Sequence, residues 1–490
     1  MGRLVAVVAA LIIALSAVHA ETTAPAAEEI ITEQWMEIRM QGVKIGFSYR
    51  KRVRTPAGYR MTSKSVIKLT AGGITQDVSL SQTYFFDPDM KPKRFTYMQK
   101  MLGHRQLFEG EVHGDKIKMT IISAGNVTER TLPFDSDMQF SDAVDFILGK
   151  SDIKEGKVYR FKVFMEPLLA TEDVEIKVGK KVDFEYGGKK EKAWRLTTTF
   201  KNFTVTSFVA EDGRVLKELS PLGFESLAVD EAKAVSFSEG VVPFTNLLAF
   251  SLITTERPIN DQERISSMNL MISGLSGKEL IPSDERQKVS GFEKKTAGNK
   301  PSYAASVGTI KIEEKSIPKI QRPAPAAGMA DYLRPSFEAQ SDDPLIIKTA
   351  KEIVGNEPDV YGSAVKINRW VYKNVDKKFV DTFSAVATLK SLEGECQSHT
   401  NLFAAMAKSA GIPTRTVSGI VYSRQFGGFL YHAWPEVYAG KWIAMDPTFG
   451  QDIADATHIK LIEGDLSKQL QLFEYIGKIG VEVVSVEYAQ

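Results

Sequence analysis

The chain has 490 residues and the composition of an ordinary globular protein, with 43% hydrophobic and 25% charged residues, 36 Gly and 20 Pro. This composition excludes a collagen-like, coiled-coil or largely disordered protein. The 62 Lys and Arg residues balance 61 Asp and Glu residues, so the basic excess of a nucleic-acid binder is missing. At about 100–200 residues per domain, the length predicts roughly three domains.

The first 20 residues have the pattern of a secretory signal peptide. Arg3 provides a positive start, Leu4–Val18 is apolar, and a small residue, Ala20, ends the segment at a position suited to cleavage. The apolar stretch is shorter than the roughly 20 residues that a transmembrane helix needs. We therefore expect a signal peptide at residues 1–20 and a periplasmic or secreted mature protein without a transmembrane anchor.

The next region has the alternation of apolar and polar residues that is typical of β-strands. Ser63–Leu69 and Lys116–Ile122 are examples, and turn residues separate the runs from one another. This pattern predicts an antiparallel β domain over residues 21–237, either a sandwich or a curved open sheet. A single helical interruption is predicted near Ser141–Leu148.

The periodic pattern weakens over residues 238–330. Ser266–Leu275 and Ile310–Lys315 are predicted to be strands, and Lys319–Ala330 has the Pro/Ala composition of a linker. We therefore interpret 238–330 as a connecting region and expect the last domain to be 331–490.

After this boundary the pattern becomes helical and then strand-like. Asp343 followed by Pro344 is typical of a helix start, and Gly355 of a helix end. Further helices are predicted at Ser363–Lys373, at Ser384–Ser391 and from Cys396 to about Gly411, and strands at Thr414–Tyr422, Leu430–Tyr438, Lys441–Asp446 and Val481–Tyr488. The last domain is thus predicted to be of the α+β class.

Cys396 is the only cysteine of the chain. Exported proteins normally pair their cysteines, so an unpaired one is either buried and inert or a reactive thiol. Cys396 lies in the first turn of a predicted helix, where the helix dipole and unpaired N–H groups favour a thiolate and suit an oxyanion. The position makes Cys396 a candidate nucleophile, which then requires a base and a group that orients the base.

The hairpin after this helix offers both groups. If its turn consists of residues 438–440, His432 on the first strand lies directly opposite Asp446 on the second, on the same face. Trp434 and Trp442 share that face, where they either line a substrate groove or pack inside the domain. The pairing predicts a Cys396–His432–Asp446 site.

Two other histidines fit this site less well. His399, three residues after Cys396, lies on the same side of the helix but is expected to be a polar helix position. His458 could join the cysteine and the other histidines as a metal ligand, but the paired short spacings of a zinc site are absent from the sequence. We therefore expect neither a metal nor another cofactor.

Four motifs in order carry a family resemblance. Cys396 at a helix start, Ala410–Arg415, His432–Trp434 and Asp446–Thr448 together resemble the transglutaminase-like superfamily of papain-type folds. The resemblance covers about residues 331–465 and does not extend to the N-terminal β domain. It implies a papain-like or transglutaminase-like α+β domain with a helix-borne cysteine packed on an antiparallel sheet.

The resemblance also implies a catalytic triad. Cys396 would be the nucleophile, His432 the general base and then the general acid, and Asp446 the residue that holds the imidazole tautomer. Such enzymes attack a glutamine carboxamide or a peptide bond, form a thioester, and pass the acyl group to an amine or to water. The backbone N–H of Cys396, rather than Trp370, is the expected oxyanion donor, and the tail Gln451–Leu461 looks like that of exported bacterial members.

We therefore expect an exported thiol enzyme that acts on a peptide or protein substrate, with cell-envelope peptides as one class, and that does not bind nucleic acid. A transglutaminase and a cysteine peptidase or amidase share the triad, so the sequence keeps both reactions open. A non-catalytic module that binds peptides in the same cleft is a further alternative, but such a module has no physical need for all three triad residues.

Overall fold

A computed structural model of the protein describes residues 28–489 apart from a set of short gaps. The gaps are residues 41, 72–73, 102–103, 124–125, 142, 144–152, 167–168, 187–188, 201–202, 221–223, 237–251, 257, 276–280, 298–299, 325–327, 337, 379–383 and 465–477. The predicted signal peptide and nearly all of the helix predicted at Ser141–Leu148 lie outside the described residues. Among the helices that are described, none is long and apolar enough to cross a bilayer.

In the described part of residues 28–236, fifteen strands form one sheet. They are β1 Glu29–Met40, β2 Val43–Thr55, β3 Gly58–Ala71, β4 Ile74–Phe86, β5 Pro92–Met101, β6 His104–His113, β7 Lys116–Ser123, β8 Asn126–Pro133, β9 Met138–Phe140, β10 Val158–Met165, β11 Ala170–Tyr186, β12 Lys189–Phe200, β13 Phe203–Ala210, β14 Val215–Leu219 and β15 Phe224–Val229. Their order is β8-β7-β6-β5-β4-β3-β2-β1-β15-β14-β13-β12-β11-β10-β9. Neighbours are antiparallel except for β9 with β10, and a short helix, α1 Glu231–Val235, follows.

The sheet bends so that its last strands pack against its middle. Phe140 on β9 and Phe164 on β10 share a buried cluster with Tyr84 and Phe95, and the rings of Phe95 and Phe140 are 5.3 Å apart. Along β7 buried residues alternate with exposed ones, which is the period of two that a half-buried strand requires. The predicted β-rich N-terminal region is therefore observed, as one large bent sheet.

Four longer helices follow in the C-terminal region. They are α2 Pro344–Val354, α3 Val360–Asn374, α4 Ala385–Ser391 and α5 Cys396–Ser409. The carboxylate of Asp343 caps α2 by accepting the N–H of Leu345 at 2.8 Å, and Gly355 ends this helix with a φ of 57°. Ser384 caps α4. All four helices lie where the sequence predicts them, because each start and stop depends on a local signal.

The remaining strands form two larger sheets and one short pair. They are β16 Ile253–Thr254, β17 Ile265–Leu275, β18 Gln287–Ala297, β19 Lys300–Ile310, β20 Asp376–Lys377, β21 Glu393–Gly394, β22 Thr414–Ser423, β23 Gly428–Tyr438, β24 Trp442–Ala444, β25 Ile459–Glu463 and β26 Gly480–Tyr488. One sheet has the order β16-β23-β22-β25 with β24 beside β23, and the other has the order β18-β19-β17-β26. β20 and β21 form the short pair just before α5.

The connecting region predicted at 238–330 is part of the C-terminal fold from residue 253 onward. β16 joins the sheet of β22 and β23, and β17 pairs with β26. One buried cluster combines residues of 253–307 with residues of 420–481. The boundary predicted between residues 330 and 331 therefore does not separate two packing units, because strand pairing over long sequence distances leaves no local signal.

Two local predictions within this region are wrong. The strand predicted at Ile310–Lys315 is absent, since β19 ends at Ile310 and a 3-10 turn occupies Glu314–Ser316. The linker predicted at Lys319–Ala330 is partly packed, because Gln321 bridges to Asp359 across the start of α3.

The β23–β24 hairpin has a different register from the predicted one. Val437 pairs with Ile443, so the turn consists of residues 439–441 and not of residues 438–440. Gly440 in this turn has a φ of 82°, a conformation that glycine adopts without steric cost. The shift is two residues, so each side chain keeps its predicted face.

Candidate active site

His432 and Asp446 are in direct contact. Nε2 of His432 lies 2.8 Å from Oδ2 of Asp446, and both side chains are buried. The two residues are diagonal rather than directly opposite, because of the register shift, and Asp446 follows the last residue of β24 by two positions. The contact occupies Nε2, so Nδ1 is the ring nitrogen that is left to exchange a proton.

Cys396 is the first residue of α5 and is partly buried. Its sulfur accepts a hydrogen bond from the backbone N–H of Ala433, the residue that follows His432. One turn further along the helix, Thr400 Oγ1 donates to the carbonyl oxygen of Ala433 at 3.0 Å. These two bonds hold the thiol against β23 at the residue that follows His432, so the structure joins His432 to Asp446 and places Cys396 against the strand that carries His432.

Glu395 caps α5 directly before the thiol. Its carboxylate accepts the backbone N–H groups of Gln397 at 2.9 Å and Ser398 at 3.1 Å. Its Oε2 also accepts the thiol of Cys396, with the sulfur at 3.1 Å. The capping carboxylate therefore accepts two of the N–H donors at the helix start and places a negative charge next to the thiol.

The expectation that the helix start favours the thiolate is wrong for this reason. Burial raises the pKa of Cys396 well above its ordinary value, and the charge and hydrogen bond of Glu395 raise it further. The resting site therefore holds a thiol. The backbone N–H of Cys396, the expected oxyanion donor, is not among the groups that Glu395 binds.

The carboxylate of Asp446 accepts four hydrogen bonds. Oδ2 accepts from His432 and from Nε2 of His458, which lies at 3.0 Å. Oδ1 accepts the backbone N–H groups of Thr448 at 2.7 Å and Phe449 at 3.0 Å. Burial opposes the charge on Asp446, but the two histidines outweigh burial and lower the pKa of Asp446 far below its ordinary value. Asp446 is therefore a fixed carboxylate at neutral pH.

His458 was not predicted at this position. Its ring is fully buried, and Nδ1 lies 3.2 Å from Oδ1 of Asp455. Burial opposes the charge on His458, but the charge of Asp455 and the hydrogen bonds to both carboxylates raise the pKa of His458 to about 9. The sequence offered two signals for this residue, the tail resemblance and a candidate metal site with Cys396 and the other histidines, and neither indicated a contact with Asp446.

Phe449 covers the imidazole of His432 from the solvent side. The two ring centroids are 4.8 Å apart at an interplanar angle of 10°, and Phe449 is 40% exposed. The ring therefore shields the hydrogen bond between His432 and Asp446 from water. Phe449 also lines two adjoining cavities of about 970 Å³ and 520 Å³, which share Glu263 and Gln451.

The segment that carries Cys396, His432 and Asp446 matches a known protein family. The sequence model of the Transglutaminase-like superfamily matches residues 347–447, a range that contains Cys396, His432 and Asp446. The chain contains a domain of the transglutaminase-like superfamily. The resemblance found in the sequence is thereby confirmed, and it applies to about a fifth of the chain.

Three solved structures show a partial likeness to the chain. A candidate cysteine protease from Cytophaga hutchinsonii is 19% identical, with 46% of this chain and 86% of that chain covered and a TM-score of 0.31. A β-barrel-like protein of a domain of unknown function from Brucella abortus is 14% identical, with 41% and 95% covered and a TM-score of 0.32. A candidate protease from Parabacteroides distasonis is 9% identical, with 74% and 69% covered and a TM-score of 0.19. The comparison with curated proteins gives no match.

The tryptophans of the transglutaminase-like domain pack inside it. Trp434 is fully buried, with its ring 5.2 Å from that of His458. Trp442 lies against the guanidinium of Arg415 at 4.1 Å. Trp370 packs on the cluster formed by the helices. Of the two alternatives for the hairpin tryptophans, the structure favours packing over a substrate groove.

His399 is a buried polar position of α5 and does not serve as the base. Its Nδ1 lies 2.9 Å from the carbonyl oxygen of Glu395, and its Nε2 lies 3.2 Å from that of Val375. The ring therefore ties the start of α5 to the end of α3, and both nitrogens face away from the pair of His432 and Asp446.

Two groups of side chains in the described residues bring ligand atoms close enough to hold a metal ion. They are His432 with Asp446 and His458, and Asp284 with Glu436 and Glu463. The first group is already joined by its own hydrogen bonds. In the second group Lys460 and Arg415 supply the positive charge. We therefore assign a metal to neither group.

Proposed function

We propose that the transglutaminase-like domain is a thiol enzyme with Cys396 as nucleophile, His432 as general base and then general acid, and Asp446 as the residue that holds the imidazole. The observation that carries this proposal is the 2.8 Å contact between Nε2 of His432 and Oδ2 of Asp446. The contact fixes the tautomer in which Nδ1 is unprotonated, as the base of a triad must be.

The reaction has two halves. The thiol proton of Cys396 moves to Nδ1 of His432, and the thiolate attacks the carbonyl carbon of a glutamine carboxamide or a peptide bond. The C–N bond breaks as His432 protonates the leaving nitrogen, and a thioester remains on the sulfur. Water or an amine then attacks this thioester and loses a proton to His432, and the C–S bond breaks as the proton returns to the sulfur.

Because of its contact with Glu395, Cys396 is proposed to lose its proton only when substrate is bound. Because burial and the neighbouring carboxylate raise the pKa of Cys396, little thiolate forms in the free enzyme. The proton then leaves the sulfur as the substrate carbonyl arrives, in the same step as the attack. This arrangement keeps the lone thiol unreactive towards oxidants and electrophiles between turnovers.

The proposed substrate is a peptide or protein amide. Both cavities are lined by Phe449, whose ring stacks on the imidazole of His432, and neither is lined by Cys396 itself. They are the candidate binding region for a peptide segment. If residues 1–20 direct export, as their pattern predicts, peptides of the cell envelope are the substrates within reach. Hydrolysis and transfer to an amine use the same triad and differ only in the acceptor.

Alkylation of Cys396 tests the triad without a substrate. Iodoacetamide is added to the mature protein over a range of pH, and intact mass spectrometry follows the single cysteine. Slow labelling at neutral pH that accelerates as the pH rises is expected from the raised pKa of the thiol. His432→Ala should slow the labelling, whereas His113→Ala, an exposed histidine of β6, should not. Equal rates in both variants would falsify the pairing of thiol and imidazole.

The acceptor is identified by three products measured side by side. A glutamine-rich protein is incubated with the enzyme and a fluorescent primary amine, and ammonia, peptide fragments and incorporated amine are measured. Incorporation indicates transfer, while ammonia or fragments alone indicate an amidase or a peptidase. If no product forms and Cys396→Ala binds the protein as well as the wild type does, the domain is a binding module.

A further inference from the structure

His458 lies between two carboxylates, one on each ring nitrogen. Its Nε2 is 3.0 Å from Oδ2 of Asp446, and its Nδ1 is 3.2 Å from Oδ1 of Asp455. A carboxylate oxygen only accepts hydrogen bonds, so each ring nitrogen must carry a proton to satisfy both contacts. The geometry alone therefore makes the ring an imidazolium.

The surroundings of His458 contain one further cation besides the triad histidine. The ring of His432 is 5.9 Å from that of His458. The guanidinium of Arg286 donates to the backbone carbonyls of His458 at 2.7 Å and of Asp455. The other faces of the ring meet the aromatic rings of Trp434 and Phe449. Among the described residues, the ionisable groups that face His458 are thus Asp446, Asp455, Arg286 and the imidazole of His432.

We propose that His458, held as a cation by Asp455, is a positioning residue that orients Asp446 and thereby His432. This inference rests on the proposed function, in which His432 first accepts a proton and then returns it. His458 never touches the thiol or the carbonyl carbon in this scheme.

The orienting part follows from the hydrogen bonds of Asp446. Two imidazole N–H groups on Oδ2 and two backbone N–H groups on Oδ1 use all of its acceptor sites. A carboxylate whose two oxygens are both hydrogen-bonded cannot rotate, so Nε2 of His432 always donates to Oδ2 in the same position. This fixed bond determines the tautomer of His432 and the direction of its Nδ1.

The loop that carries His458 is held by bonds that do not involve its ring. Thr309 Oγ1 donates to the carbonyl oxygen of Ala456 at 2.6 Å, and Arg286 binds the neighbouring carbonyls. His458→Gln can therefore keep the loop in place while one amide N–H still reaches towards Asp446. Thr309→Val is the matched control, because it loosens the same loop and leaves the ring contacts of His458 intact.

The first experiment observes the charge directly. Nitrogen-15 spectra of histidine side chains are recorded on the mature wild type, with His458→Gln used to assign the signal. We expect both nitrogens of His458 to be protonated at pH 7.5, and to lose a proton at lower pH in Asp455→Asn. A neutral ring at pH 7.5 in the wild type would overturn the proposal, and this result does not depend on any enzymatic activity.

The second experiment separates positioning from packing. The amide in His458→Gln lacks the second contact, to Asp455, that fixes the ring, so Asp446 is held less firmly and both the alkylation of Cys396 and turnover should fall by about tenfold. Thr309→Val should lower the midpoint of thermal unfolding and change neither rate. If Thr309→Val slows both reactions to the same extent, His458 only stabilises the loop, and the proposal is wrong.

The two proposals fail in different ways. A site without a thiol–imidazole pair shows the same alkylation rate in His432→Ala as in the wild type, whatever the state of His458. An inert His458 shows wild-type alkylation in His458→Gln while His432→Ala remains slow.

Discussion

Two largely buried polar clusters lie side by side in the C-terminal region, and only one of them contains the candidate site residues His432 and Asp446. The triad cluster consists of His432, Asp446, Asp455 and His458. The ion cluster consists of Asp284, Arg415, Glu436, Lys460 and Glu463. β23 contributes to both clusters, through His432 and Glu436, and the segment before and within β25 contributes His458 and Lys460.

The charged groups of the ion cluster are paired with one another. Lys460 Nζ contacts Asp284, lies 3.1 Å from Glu436 and 2.7 Å from Glu463, and Arg415 binds the same two glutamates at 2.6 and 2.8 Å. Every charged group of this cluster meets an opposite charge. The triad cluster differs at one atom, since Nδ1 of His432 has no hydrogen-bond partner among the described residues.

Burial and charge alone therefore do not identify a candidate active site. Both clusters are rich in ionisable groups, and both are bonded to residues of the segment 284–287. They differ in that Nδ1 of His432 has no hydrogen-bond partner among the described residues, whereas every charged group of the ion cluster is paired. Substitutions in each cluster test this difference between the two.

The largest effect is expected from Asp446→Asn. The amide cannot hold the tautomer of His432 that keeps Nδ1 unprotonated, so turnover should fall by about 10⁴. The same change in the ion cluster, Glu436→Gln, serves as the control and should leave the turnover of folded protein within a few-fold of the wild type. A comparable loss of turnover in both variants would show that the two clusters act as one.

A large loss of stability is expected from Lys460→Met. The change leaves three buried or half-buried carboxylates with Arg415 as their main cation, and breaking such a buried pair typically lowers the free energy of unfolding by about 3–5 kcal/mol. The exposed Lys315, which pairs with Glu313 on the surface, provides the control: Lys315→Met should unfold as the wild type does. Denaturant unfolding measures both. The pH profile of Cys396 alkylation in Lys460→Met should match the wild type, and a shifted profile would argue against separate clusters.

The stability that His458 contributes should depend on pH. Its folded-state pKa of about 9 lies above the ordinary value of 6.5, so its contribution is complete below pH 6.5 and is lost as the pH rises through 9. The difference in unfolding free energy between the wild type and His458→Gln should therefore shrink by about 3 kcal/mol between pH 6 and pH 10. Denaturant unfolding at a series of pH values tests this, and a difference that is constant with pH would rule out a buried cation.

The smallest effect is expected from Glu395→Gln. Removing the charge 3.1 Å from the sulfur favours the thiolate, so alkylation of Cys396 at neutral pH should accelerate by about tenfold. Glu393→Gln is the control, because that carboxylate binds Lys378 and not the thiol. Iodoacetamide labelling followed by mass spectrometry compares the three proteins. Equal rates would mean that burial alone holds the proton on the sulfur.

The parts of the fold that local rules govern were predictable. Asp343, Pro344 and Gly355 delimit α2, and Ser384 caps α4, because each acts on backbone groups within one turn of itself. The pairing of β17 with β26 was not predictable in this way. Its residues lie more than 200 positions apart, and neither strand has a sequence motif that would predict which strand it pairs with.

The three candidate site residues could be predicted from the sequence, but the two charged neighbours, His458 and Glu395, could not. The faces of His432 and Asp446 follow from the period of two, which a register error of two residues leaves unchanged. His458 follows an irregular turn after Asp446, where no period applies. Glu395 was also not identified from the sequence as the cap of α5, and its contact with the thiol is known only from the structure.

The pairing of β17 with β26 also sets the order in which this protein can be assembled. Ser267 bonds to Glu487, 220 residues later in the chain. A polypeptide made from its N-terminus can pair Ile265–Leu275 with β19 first, but the other edge of this strand stays open until Gly480–Tyr488 has been made, and such edges attract other chains. The loop with His458 is bonded to the same sheet through Thr309 of β19. Mispairing at this open edge would therefore also displace the loop that carries His458.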